Sequence, residues 1–219
     1  MPFSPFILFV FIFSLLLLII FVQFGVISIV FEKLGLSQSS AYTLLVASLI
    51  GSMINLPLFS IKSKTKKTQD IPYYYGFLRE YFKKYRDKTV ITVNVGGALI
   101  PVAFSIYLFQ NNPIIWPETF FAIMIMTAIS YGVSRPIHGI GIGMPVFIAP
   151  ICAALIAVII NPEYSAPLAY ICGSVGVLLG ADIFRINSIK QMELIVASIG
   201  GAGTFDGIFI TGIIAVLLA

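Results

Sequence analysis

Charge is scarce in this chain: of its 219 residues only 10% are Asp, Glu, Lys or Arg, against 59% hydrophobic. So little polar material cannot coat a water-soluble globule of this size, which excludes bulk water as the main solvent. Histidine and cysteine are scarcer still. His138 stands alone, and Cys152 and Cys172 lie far apart in apolar runs as packing residues. Neither a zinc site nor a disulfide framework has its ligands here, and no cofactor is expected. Sustained alternation of apolar and polar residues is missing too, which excludes a transmembrane barrel.

What is present is a series of long apolar runs separated by short polar breaks, with a mean hydropathy of +1.03. The pattern predicts an all-α membrane protein of about seven transmembrane helices, forming a single transmembrane domain over residues 1–219. Phe6 to Phe31 carries no charge and makes the first span; it lacks the basic start and small-residue cleavage site of a signal peptide, so it is expected to stay attached. Ala41–Phe59, Val90–Phe109, Trp116–Val133 and Ser165–Ile183 supply spans two, three, four and six, and a seventh closes the chain. Span five is entered through a broken or re-entrant segment near 138–146, where Gly139, Gly141 and Gly143 precede Pro145.

One stretch differs in kind. The loop at 62–89 carries nine basic residues between Lys62 and Lys88, against Asp70, Glu80 and Asp87. Within it Tyr74, Phe77, Leu78, Tyr81 and Tyr85 recur at helical spacing, which predicts an interfacial helix near 73–87 that meets anionic lipid rather than nucleic acid. Arg135, Arg185 and Lys190 fall in breaks on the same side, so twelve of the thirteen basic residues share one compartment. The positive-inside rule then gives a multi-pass protein of the cell membrane, with the N-terminus and the loop 62–89 cytoplasmic and the C-terminus outside.

Two carboxylates lack an ordinary home. Asp182 ends the apolar sixth span, and Asp206 sits in Gly200-Gly-Ala-Gly-Thr-Phe-Asp-Gly-Ile-Phe209 with no charge after it. A carboxylate in hydrocarbon costs about 2.5–3.5 kcal/mol by insertion scales, so something must offset it. Consecutive helices of opposite direction bring both acids toward one membrane face. As neighbours they would share one proton, leaving an acid and a base to activate a water, as in aspartic proteases. Gly200, Gly201 and Gly203 permit a bent backbone ahead of a helix that Thr204 can cap, and an extended substrate can add as a strand beside such backbone.

The stretches Val93-Asn-Val-Gly-Gly-Ala-Leu-Ile-Pro101, Gly180-Ala-Asp182 and Gly200-Gly-Ala-Gly-Thr-Phe-Asp-Gly207 resemble, over nearly the whole chain, a prokaryotic membrane family known as domain of unknown function 1614. That resemblance implies a membrane location, brings no established activity and leaves the chemistry open. A more distant one is to presenilin-like intramembrane proteases, whose catalytic aspartates lie on consecutive helices, the second in a Gly-x-Gly-Asp motif. It implies catalytic roles for Asp182 and Asp206 and a transmembrane-helix substrate. The sequence departs from that pattern: Ala181 precedes Asp182 where the family has tyrosine, Thr204 and Phe205 separate Gly203 from Asp206, and no Pro-Ala-Leu motif is present.

Three readings of the pair therefore stand open. The acids form a protease dyad; they bind an ion or relay protons in a small-solute transporter; or the protein is structural, with Asp182 paired to Arg185 and Asp206 capping a helix.

Overall fold

The computed structural model of the chain describes residues 5–23, 26–62, 88–137, 141–189, 194, 196–201 and 207–219. Helices α1 (Pro5–Gln23), α2 (Val26–Lys33) and α3 (Gln38–Gly51) come first. Gly35, at φ 70°, turns the chain between α2 and α3 in the backbone region that favours glycine. Ser37 then caps α3 by accepting a hydrogen bond from the Ser40 amide. Strands β1 (Asn55–Lys62) and β2 (Lys88–Asn94) follow, and a wide π-helical turn at Val95–Leu99 leads into α4 (Ile100–Asn111). Next come α5 (Trp116–Val133), the short strands β3 (Arg135–Ile137) and β4 (Gly141–Gly143), and α6 (Ile148–Ile160). The central helix starts as α7 (Ser165–Ile171) and continues through π-helical turns to Ile183. A single turn α8 (Ile186–Ile189), strand β5 (Val196–Ile199) and α9 (Gly207–Leu218) complete the order.

This architecture overturns the expectation of an all-α protein with about seven transmembrane helices. Among the described residues one helix, Ser165–Ile183, is long and apolar enough to cross a membrane, and most of it is buried inside the protein. A three-stranded sheet of order β1-β2-β5 stands where parts of spans two and three were expected. Local chemistry explains the change. Leu56 precedes Pro57, which pushes it out of the helical region, so helix α3 stops at Gly51 and the chain extends from Asn55. Thr89-Val-Ile-Thr-Val93 is β-branched at every position and enters span three as a strand.

The fourth expected span is α5 over its full bounds, while three others are shorter or divided. The first is split between α1 and α2, and the fifth and seventh appear as helices of 13 and 12 residues. Of the broken entrance near 138–146, residues 141–143 pair as β4 with β3 in a hairpin, while 138–140 lie outside the described residues. The expected interfacial helix near 73–87 lies outside them as well.

Small residues set how the central helix packs. Gly176 and Gly180, four positions apart, meet α5 so closely that a Cβ on Gly176 would stand 2.7 Å from Met126 Cβ, and one on Gly180 would strike the Thr127 carbonyl oxygen. On another side Gly212 of α9 lies against Ser174 and Tyr170. Tyr170, fully buried, meets the Phe104 ring edge-on at 4.8 Å between centroids. Gly180→Ala is therefore expected to lower the unfolding free energy by about 1–3 kcal/mol, since the added methyl has no room. Gly132→Ala, at an open position of α5, should raise it by up to about 1 kcal/mol. Denaturant unfolding in detergent reads both, and equal effects at the two sites would contradict the close α5 contact.

Candidate functional site

Asp182 is set by the end of the central helix. Its backbone belongs to the π-helical turn Leu178–Ile183, which closes through the Phe184 amide donating to Leu179 O at 2.9 Å. Its side chain is half-buried, and Oδ2 accepts a hydrogen bond from the Gly200 amide at 2.7 Å. An amide–carboxylate bond of this length is charge-assisted and of the stronger kind. It joins two segments 18 residues apart, the end of the central helix and the first glycine after β5.

Gly200 and Gly201 both have positive φ, 82° and 91°, a conformation that side chains avoid. Space forbids a side chain too: a Cβ on Gly200 would lie 2.7 Å from both Gly97 C and Ala98 Cβ. Two of the expected glycines thus shape the backbone beside Asp182. Gly203, Thr204 and Asp206 lie outside the described residues, as does His138, so the second half of the expected dyad has no described geometry.

Arg185 does not pair with Asp182. Its Nη2 donates to Tyr131 O and, at 2.8 Å, to Ser134 O, while Nε donates to Ser134 Oγ at 3.3 Å. The guanidinium also lies 4.3 Å from the centroid of the Tyr131 ring. This cation closes the carbonyl end of α5, where the helix dipole favours positive charge. Among the described residues the Gly200 amide is the partner recorded for the Asp182 carboxylate, and no three His, Cys, Asp or Glu side chains come together as a metal site.

Behind Gly200 lies a polar network not anticipated as part of the site. Asn94 Nδ2 donates to Ser52 O at 2.7 Å and to Asn55 Oδ1 at 3.2 Å, and Asn94 Oδ1 accepts from the Gly97 amide at 2.7 Å. Ser198 Oγ is 2.6 Å from the same Asn55 oxygen. The signal in the sequence was the placement of Asn55 and Asn94 inside apolar runs, where each needs a partner.

Arg185→Ala is expected to cost about 1.5–3 kcal/mol of stability, the range for hydrogen bonds to a charged group. Arg185→Lys should recover only part of it, because an ammonium lacks the planar fork that serves two carbonyls and stacks on Tyr131. Unfolding of the three proteins measures this; an alanine variant as stable as the parent would contradict the capping role.

A family model described as a protein of unknown function (DUF1614) matches residues 49–218. No curated protein and no solved structure matches the chain. The comparisons lend nothing to the presenilin-like resemblance.

Proposed function

Because the chain belongs to the DUF1614 family of unknown function, we propose its activity from the geometry alone: a membrane-associated aspartic endopeptidase that uses Asp182 and Asp206 to activate water. The observation that carries the reading is the Asp182–Gly200 hydrogen bond, which ties the first acid to the glycine-rich segment containing the second. Helix direction supports it. Ser165 Oγ donates to Ala219 O, and Gly173 lies between Thr211 and Ala215, so the central helix and α9 run antiparallel. That register carries Gly207, the first residue of α9, to the level of Val177 and Leu178, about one turn from Asp182. Asp206 directly precedes Gly207 in the chain.

In this reading one carboxyl group holds the shared proton while the other, ionised, takes a proton from the attacking water. The protonated carboxyl gives its proton to the peptide carbonyl oxygen as water adds; when the C–N bond then breaks, the amine leaves with the proton taken from water and a hydroxyl of the intermediate returns one proton to the pair. The sheet supplies a place for the peptide. Among the described residues no strand lies beyond β5, whereas the opposite edge strand, β1, carries Pro57, a register shift and Lys62, features that discourage pairing. An extended substrate laid along β5 ends beside Gly200 and Asp182.

Membrane association is the setting of the reading. Beside the helix that is long and apolar enough to cross, α5 exposes Trp116, Phe120 and Met124, and α6 exposes Ile151, Leu155 and Ile159. Each set recurs every fourth residue, so each helix turns one apolar face outward, which acyl chains cover better than water. The basic segment 62–89 is proposed to meet anionic lipid on the cytoplasmic side.

A competing role, in which Asp182 only closes the glycine turn, rests on the same bond. Cleavage separates them. Asp182→Ala and Asp206→Ala, each folded in liposomes, are expected to lower cleavage of a transmembrane-helix peptide by about 10²–10⁴-fold, the usual contribution of a general acid or base. Full cleavage by either variant sinks the protease reading.

A further inference from the structure

The network around Asn94 has no part in the water-activating step, yet it lies directly behind the backbone that holds Asp182. β2 and β5 pair in parallel with Val93 opposite Ile199, and continuing that register puts Gly200 beside Asn94. Asn94 is 1% exposed. Both hydrogens of its amide are used, on Ser52 O and Asn55 Oδ1, and its oxygen holds the Gly97 amide. Gly97 and Ala98 are the residues on which Gly200 rests. Ser198, two residues before Gly200, is tied to the same Asn55 oxygen.

We propose that Asn94 is the positioning residue of the Asp182 site, fixing the π-helical turn and the end of β5 so that the Gly200 amide points at the carboxylate. The proposal rests on the protease reading for its catalytic meaning. Its structural content stands on the contacts among Asn94, Gly97, Gly200 and Asp182. A buried side-chain amide suits this task, because it supplies donors to two elements and an acceptor to a third from one rigid plane. Alanine there leaves the Gly97 amide and the Ser52 carbonyl without partners, and the platform under Gly200 loosens.

The test is amide hydrogen exchange in the full chain, labelled with ¹⁵N-glycine in detergent micelles, together with peptide cleavage. Asn94→Ala is expected to speed exchange of Gly200 at least tenfold while Gly173, buried in the central helix, keeps its rate. Asn55→Ala, which removes one arm of the network, should speed Gly200 about threefold and serves if the Asn94 variant does not fold. Where the parent cleaves peptide, kcat should fall with the same ranking and KM stay within about twofold. Equal acceleration at Gly173 and Gly200 would mean that Asn94 only stabilises the fold, and an unchanged Gly200 in both variants would also overturn the proposal. If Gly200 responds as expected but Asp182→Ala still cleaves, the positioning stands and the protease reading falls.

Discussion

The hydrogen bond from the Gly200 amide to Asp182 is the contact on which the arrangement of this molecule turns. It is made where three separate pieces of chain converge: the end of the central helix, the end of β5, and the π-helical turn after β2. Each arrives with its own constraint. Arg185 fixes the helix end against α5, parallel pairing with β2 fixes the strand, and Asn94 fixes the turn. A half-buried carboxylate is costly without donors, and one well-directed amide offsets part of that cost, while among the described residues no second donor meets it.

The distribution of polarity follows one logic. Polar groups are drawn inward to the sheet and its flanking turns, where Asn55, Asn94, Ser52 and Ser198 satisfy one another. Apolar side chains face outward from α5 and α6. In water such a surface invites association; against acyl chains it is the stable one.

How much of this was legible in the sequence depends on the residue type. Asp182 was singled out because a lone acid in an apolar run is expensive, and it does have a specific partner. Gly200 and Gly201 were read as bent backbone, and their positive φ values agree. The strands were missed. Ala41–Phe59 and Val90–Phe109 are as apolar as membrane helices, and hydropathy does not register that Pro57 breaks the first or that β-branched residues fill the start of the second. The pairing of Asp182 with Arg185, part of one of the three readings left open, is not made: the carbonyls at the end of α5, distant in sequence, bind the guanidinium instead.

The central claim is that the acids at the end of the central helix and the start of the last helix meet. Its most direct measurement is cross-linking of Asp182→Cys with Asp206→Cys in a chain whose Cys152 and Cys172 are replaced by alanine, using a short bis-thiol reagent on protein in lipid. Rapid formation of an intramolecular link, lost when the second cysteine is moved to Leu218 at the far end of α9, is the result expected. Failure of the 182–206 pair to link, with both thiols shown to be reactive, would contradict it.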